Sequence, residues 1–319
     1  MKIRPFDAER DYPAITRLFN VNFPESAESE SEQRYHDFYR DPNHHFARFV
    51  TEDDGQVVAC ASWSQTVSRY HPKHFHVEVF VMPEYQGQGI GSTLWDYLNK
   101  ELAKLQPEKI RTWTRESQPR APRFFMDRGF QEENREVESW LDINAFDASR
   151  FSGAIEHVEA QGIRLTTLGE LDSANPDMRR KLYELSTEIQ RDIPGSEPAT
   201  PVPYDVWAKR FDQPNYLPEG QFIALDGDKM VGASMLWGRQ ADNDLQTGTT
   251  GVLRSHRRRG IALALKLKAI EFARQRKASI IRTGNAATNV GMLSINRDLG
   301  FVPQPAWVIY VKTLVEAAE

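Results

Sequence analysis

Val77-Glu78-Val79-Phe80-Val81-Met82-Pro83-Glu84-Tyr85-Gln86-Gly87-Gln88-Gly89-Ile90-Gly91 is the stretch that decides how this chain is read. Up to Met82 it alternates like a strand, except at its apolar end. Beyond Gly91, Leu94, Leu98, Leu102 and Leu105 recur at helical spacing. The order is strand, glycine-rich turn, helix. Such a turn aims several backbone N–H groups at one point, at the positive end of a helix, and so cradles phosphate. The glycines remove the Cβ atoms that would hold a ligand off the backbone.

A second copy reads Thr250-Gly251-Val252-Leu253-Arg254-Ser255-His256-Arg257-Arg258-Arg259-Gly260-Ile261-Ala262, with Leu265, Ala269, Phe272 and Ala273 continuing one helical face. Gln86 and Arg257 lie 171 residues apart, as do Gly89 and Gly260, and Gly129-Phe130 and Gly300-Phe301 keep the same offset. Separate landmarks holding one offset mark an internal duplication. The pattern Gln/Arg-x-x-Gly-x-Gly/Ala after a strand, then a helix, then a downstream Gly-Phe, resembles the GNAT superfamily of acetyl-CoA-dependent N-acyltransferases. The resemblance covers almost the whole chain, twice. Gly87-x-Gly89-x-Gly91 lacks the Gly-x-Gly-x-x-Gly spacing of a dinucleotide site, and neither turn ends in the Gly-Lys-Ser/Thr of an ATP loop.

Composition bounds the rest. A chain of 319 residues suggests two domains, each able to bury a core. A net charge of −5 favours neither nucleic acid nor an anionic membrane. Arg257-Arg258-Arg259 is a local exception that reads as a phosphate clamp. The one cysteine, Cys60, excludes an internal disulfide and a cysteine-based zinc site. No apolar run is long enough to span a membrane. The N-terminal residues do not read as a signal peptide. The expected location is cytoplasmic, as a monomer or homodimer.

In chain order, Lys2–Phe6 reads as a strand, Asp7–Asn20 as a helix, and Glu32–Arg40 as a second helix. Phe46–Thr51 and Val57–Trp63 read as strands joined by the hairpin residues Asp53-Asp54-Gly55-Gln56. Lys109–Thr114, a short helix Pro122–Arg128 and a strand Glu136–Ile143 complete the first half. The expected domains are 1–146 and 163–319, joined by a helix over 147–162 that Asp147 caps and Gly162 ends. The second half repeats the strands at 221–225 and 230–234 and carries about eleven extra residues, placed in the proline-rich stretch 193–203. That stretch reads either as a loop bordering the acceptor or as plain surface.

The resemblance implies an α/β (α+β) fold in each half, a mixed, mostly antiparallel sheet flanked by helices. It also implies acetyl-CoA as co-substrate, up to one molecule per half, and a small-molecule primary amine as acceptor. Acyl transfer to an amine requires a held pyrophosphate, a donor to the developing oxyanion, and a base for the ammonium proton. By resemblance, Gln86, Gly87, Gln88, Gly89, Ile90, Gly91 and Ser92 take the pyrophosphate in the first half. Arg257, Arg258, Arg259, Gly260, Ile261 and Ala262 do so in the second. Backbone amides at Val81-Met82 and Val252-Leu253 would serve the thioester and the pantetheine arm. Glu78 matches the family's acidic general base, while Thr249, 171 residues on, cannot act as one. Asn285 and Asn289 match an asparagine that reaches the pantetheine; as read from the residues alone they are equally a polar loop and a helix cap.

Two features depart from the family. The usual tyrosine acid is replaced by Phe125 and Asn296, and Tyr310 has no assigned place. His74 and His76 share strand alternation with Glu78, and with His71 they form no tight ligand pattern, so no metal is expected. The resemblance implies N-acetyl transfer by direct attack. Its rival is an acyl-CoA-binding protein in which one or both halves do no chemistry.

Overall fold

The structure, a computed structural model, describes residues 1–171 and 175–314. It divides into two compact units, one made of Met1–Arg135 with the segment from Trp307, the other of Glu136–Ala306.

The first unit begins with β1 (Lys2–Pro5), α1 (Tyr12–Asn22), α2 (Glu30–Tyr39), β2 (Phe46–Asp53), β3 (Gln56–Ser64) and β4 (His74–Val81). After a short 3-10 turn come α3 (Ile90–Ala103), β5 (Lys109–Arg115) and α4 (Ala121–Met126). Ser29 caps α2 in a full capping box with Glu32, which satisfies two orphan donors of its first turn. Strands β1 to β4 are antiparallel neighbours in sequence order. β4 then pairs β5 in parallel, over His74–His76 against Lys109–Arg111 only. Beyond His76 the two strands diverge, leaving one edge of β4 open from Val77 onward.

Period-two alternation sorts the side chains of this sheet onto two faces. Phe49, Ala61, Val77 and Ile110 pack with Leu94, Leu98 and Leu102 of α3. Val50, Cys60 and Met82 face Tyr12, Ile15 and Leu18 of α1. Burial pushes the Cys60 thiol up to about 12, so it is a small apolar filler.

β6 (Gln131–Asp142) leaves the first unit at Arg135 and continues in the second, followed by α5 (Ala154–Glu159), β7 (Ile163–Thr167), α6 (Pro176–Gln190) and α7 (Tyr204–Ala208). Then come β8 (Gln221–Asp226), β9 (Lys229–Gly238), β10 (Leu245–Val252), α8 (Ile261–Gln275), β11 (Ile280–Ala286), α9 (Val290–Leu299), β12 (Val302–Pro303) and β13 (Trp307–Thr313). The second sheet repeats the first: β7, β8, β9 and β10 are antiparallel neighbours. β10 pairs β11 in parallel at Leu245 and Gln246 only, then diverges.

The sixth strand of each sheet is exchanged between the sequence copies. β13, the end of the second copy, pairs β5 antiparallel along Trp307–Thr313. β6, the end of the first copy, pairs β11 along Glu136–Asp142. The compact units therefore interleave the chain, whereas the sequence reading had consecutive segments 1–146, 147–162 and 163–319. The join also differs in detail. Asp147 caps a 3-10 turn, Ala148–Phe151, and the helix proper begins after Gly153. The stretch 193–203 holds no helix or strand.

Candidate active site

In the first unit the divergence of β4 from β5 opens a cleft of about 640 Å³. Glu78, Phe80, Val81, Gln86, Gly89 and Ser92 are among its lining, with Trp113 of β5 and Phe124 of α4. The turn sits at one end. Gly89 is the N-cap of α3 at φ +85°, and no side chain caps that helix. The first amides of α3 thus lack the side-chain acceptor that Ser29 gives α2. Gly87 is also left-handed at φ +78°, and a Cβ there would fall 2.9 Å from the Arg120 guanidinium. Side chains in the turn are already engaged. Gln86 Nε2 donates to Val81 O at 3.1 Å, Gln88 Nε2 donates to Glu84 O at 2.8 Å, and Ser92 Oγ accepts from Arg128 at 2.8 Å. Ile90 is buried in the core and offers only its backbone.

The ladder decides which strand amides face the opening. Met82 N–H donates to Val58 O at 2.9 Å. In an antiparallel pair such bonds alternate, so Val79 and Val81 turn their N–H groups to the edge that β5 has left. Met82 is therefore no spare donor, contrary to the sequence reading, because it is held by β3. Leu253 is corrected for the same reason: its N–H donates to Val231 O at 2.9 Å, which leaves Val252 facing the opening.

Glu78 stands at the other end of the cleft. Its carboxylate accepts from Trp113 Nε1 and from Ser62 Oγ, both at 3.1 Å. Two neutral donors orient the carboxylate without adding a permanent positive charge. The aromatic rings of Phe23, Phe80 and Trp113 wall this end, with Phe23 to Phe80 centroids 5.8 Å apart. The side-chain hydroxyls of Thr112 and Thr114 are buried here without a hydrogen-bond partner.

Several of these residues carried no sequence signal. Asn22, at the end of α1, donates to Val81 O at 3.3 Å and accepts from Gln86 Nε2 at 3.3 Å. Gln118 reaches from the β5–α4 loop to Asn22 O at 2.6 Å. Arg120 lies over Gly87, with no ion pair of its own among the described residues. Only the tertiary fold brings α1 and this loop to the turn.

The second unit repeats the turn with different partners. Gly260 caps α8 at φ +82° with no side-chain cap, and Arg258 takes the left-handed conformation of Gly87 at φ +64°. Arg257 Nε donates to Val252 O at 3.1 Å, as Gln86 does to Val81. Arg257 and Arg254 both pair with Asp192. Arg259 is held by Gln161, through its side chain at 3.0 Å and its carbonyl at 3.1 Å. Of the expected three-arginine clamp, Arg258 alone makes no such pair among the described residues. Ile261 is buried and Ala262 packs against the core. Two glycines of β10 are packed over by larger side chains. Ile189 of α6 lies so close to Gly251 that a Cβ there would meet it at 2.3 Å, and the Trp237 indole fills the space at Gly248.

Both asparagines make local hydrogen bonds. Asn289 Oδ1 caps α9 through Met292 N–H at 3.3 Å, and Asn285 Oδ1 accepts from Asn296 Nδ2 at 2.7 Å. Tyr310 lies in the first unit's core, stacked on Phe125 at 6.5 Å and outside the cleft lining. Its hydroxyl is pushed up by burial and by Glu132.

The histidines separate. His76 is pushed down to about 4 by burial and by Arg111. His71, His74 and Glu108 bring ligand atoms within 4.8 Å of one another. His71 Nδ1 accepts the Lys73 amide at 3.2 Å, so that nitrogen is already engaged.

The family model described as Acetyltransferase (GNAT) family matches the chain twice, over residues 12–130 and 180–301. The chain belongs to that family, as a tandem of two GNAT domains. Among solved structures it is similar to a tandem GNAT protein from the clavulanic acid biosynthesis pathway, at 19% identity over 99% of both chains with a TM-score of 0.76. It is also similar to a GCN5-related N-acetyltransferase from Sphaerobacter thermophilus, at 20% identity over 100% of this chain and 97% of that one, with a TM-score of 0.69. At these identities the likeness is one of fold. No curated protein matches the chain.

Proposed function

We propose that the first unit transfers an acetyl group from acetyl-CoA to the primary amine of a small molecule, and that the second unit does no chemistry. The observation that carries this reading is the single cleft joining the uncapped glycine turn, the open edge of β4 and the Glu78 carboxylate. The turn amides from Gly87 to Ser92, with Arg120 above them, would take the pyrophosphate. The open edge at Val79 and Val81 would align the pantetheine arm as an added strand does. The Val81 N–H would meet the oxyanion.

Glu78, oriented by Ser62 and Trp113, accepts the ammonium proton directly or through one water. The neutral amine nitrogen then attacks the thioester carbon, the C–S bond breaks, CoA leaves as thiolate, and the second proton shed by the new amide nitrogen passes to that thiolate. A thiol ionises near 8.5, so this leaving group needs no strong acid. That suits a cleft with phenylalanine at the usual tyrosine position.

The second unit keeps the turn and an open strand edge at Val252 but lacks the carboxylate. β10, Leu245–Val252, carries no ionisable side chain. Ile189 and Trp237 pack on its glycines, and Arg254 and Arg257 pair with Asp192. A wholly non-catalytic acyl-CoA binder would share the turn but have no use for an oriented carboxylate at the far end of the cleft.

Calorimetric titration of acetyl-CoA into the wild type, Gly89→Trp and Gly260→Trp tests the assignment. One site, lost in Gly89→Trp and kept in Gly260→Trp, is the expected result. Two sites, or loss in Gly260→Trp alone, would refute the division of labour. Tight binding with no amine-dependent release of CoA across an amine panel would leave only the binding reading.

A further inference from the structure

A second cavity of about 230 Å³ lies in the first unit, lined by His36, Arg40, Asp41, His44, Phe46 and Gln65 among others. The sheet register fixes where it stands relative to Glu78. Arg48 on β2 is opposite Ser62 on β3, and Ser62 is opposite Glu78 on β4. These three form one row, and Phe46, two residues along β2, shares its face. The Glu78 charge is felt at His36, Arg40 and Arg48. From Glu78 to Phe46 is two strand spacings across and two residues along, about 12 Å at the level of the sheet.

Two acids, Asp37 and Asp41, stand among the cations around the cavity, and Asp41 lies beside a neutral His44. Arg48 holds Asp37 through both carboxylate oxygens, at 2.7 and 3.0 Å, and Arg40 donates to the same carboxylate at 3.1 Å. One acid serves two guanidiniums, and Tyr12 donates to it as well, at 2.6 Å. His36 is matched by Glu28 at 3.1 Å. The Arg40 guanidinium lies flat over Phe46, 3.7 Å from the ring centroid, at the cavity wall.

The histidine opposite is half satisfied. His44 stacks on Tyr70 with centroids 4.2 Å apart and planes 9° apart. Its Nε2 is 3.9 Å from Asp41, whose other oxygen is taken by Asn43. Its Nδ1 is buried without a partner. An orphaned buried polar atom costs about 1–3 kcal/mol, and a ligand that bonds it recovers that cost. Burial holds the ring neutral in the free protein, against the pull of Asp41. An entering anion would favour the imidazolium, which donates from Nδ1 to the ligand and from Nε2 toward Asp41.

We propose that this cavity holds a carboxylate of the acceptor, so that the substrate is an ω-amino acid or peptide-like amine with its amino end at Glu78 and its acid end between Arg40 and His44. The inference rests on the transfer reading for the identity of the reacting end. The row from Glu78 to Phe46 sets the length: the amine and the acid must stand several bonds apart, which excludes an α-amino acid presented by its own carboxylate.

Binding of the ω-amino acids from β-alanine to ω-aminooctanoate, each compared by calorimetry at pH 7 with the alkylamine of equal chain length, tests this directly. A charge-assisted bond corresponds to about a tenfold tighter Kd for the acid-bearing partner. That advantage should grow along the series and vanish in His44→Phe, which keeps a ring over Tyr70, while acetyl-CoA binding stays unchanged. His44→Asn should behave alike and stands in if the Phe variant melts early. If no ω-amino acid outbinds its alkylamine, or if the advantage survives in both variants, the cavity is not a carboxylate site. Acetylation of alkylamines as efficient as that of ω-amino acids would likewise overturn the carboxylate site while leaving the transfer reading intact. A preserved binding preference with no transfer to any amine would remove the reaction and keep the site.

Discussion

The two glycine turns share a backbone and differ in their company. Each follows a 3-10 turn, each has its N-cap glycine left-handed, and each ties its leading side chain to the carbonyl five residues back. In the first, the residue at the end of the preceding helix is Asn22, which meets Gln86 as one neutral amide meets another. In the second, Asp192 meets Arg257 and Arg254 as an ion pair. More basic residues do not make the second turn the better anion site. Arg254 and Arg257 already share an anion, Asp192, and Arg259 is already held by Gln161. Counting arginines in a sequence measures charge, whereas a ligand responds to charge that nothing else has claimed.

The comparison can be broken at several points. The largest expected effect is at Glu78, which has no counterpart on β10. Glu78→Gln should lower kcat/KM by at least about a hundredfold, with acetyl-CoA affinity unchanged, as steady-state kinetics and calorimetry would reveal. Next is Asn22→Asp, which gives the first turn the carboxylate of the second. Repulsion from the pyrophosphate should weaken acetyl-CoA binding about tenfold, and the loss should shrink at high salt. An unchanged affinity would mean that the partner at this position does not tell the turns apart.

A third contrast lies one helix turn further on. Trp95 packs edge-on against Phe130 at 5.6 Å, and its counterpart 171 residues later is Lys266, 5.3 Å over Phe301. Burial pushes Lys266 down to about 8. The ordinary value for an unfolded lysine is about 10.4, so the folded state binds its proton less tightly. Stability should therefore rise as pH increases from about 8 to about 10.4, and be lowest below that window. Lys266→Met should abolish this rise and add about 2 kcal/mol at pH 7, readable by urea melts across the window. The smallest effect is expected for Asp192→Asn, which frees Arg254 and Arg257. Exposed ion pairs contribute little, so the melting temperature should fall by about 2 °C or less. Acetyl-CoA should still not bind the second unit, because Ile189 remains in place; binding gained there would mean that Asp192 alone had closed the site.

Much of this was readable from the sequence because it was local. The strand, turn and helix around Gly89 and Gly260 depend on glycine geometry and apolar spacing, and both appear where expected. Glu78, which the family pattern singles out in the sequence, lines the cleft. What the sequence concealed was nonlocal. The amide of Met82 looked as available as that of Val81, since only the register with Val58 distinguishes them. Asn22, Gln118 and Arg120 sit in segments without motif character and meet the turn only after the chain has folded. The triple arginine looked like a clamp because Asp192 and Gln161, its partners, stand 65 and 98 residues away. The exchange of β6 and β13 leaves no trace in propensity, because a strand reads the same in either sheet.

That exchange bears on the order in which the molecule can be completed during synthesis. The second unit is contiguous, and all its strands have been made once Ala306 is added. The first unit, although made first, lacks its neighbour to β5 until Trp307–Thr313 emerge. At ordinary elongation rates of about 5–20 residues per second, its unpaired edge waits roughly ten to forty seconds on the ribosome. The half proposed to carry the chemistry is thus the last to be finished, and a chain that stops short of its final strand has no complete first sheet.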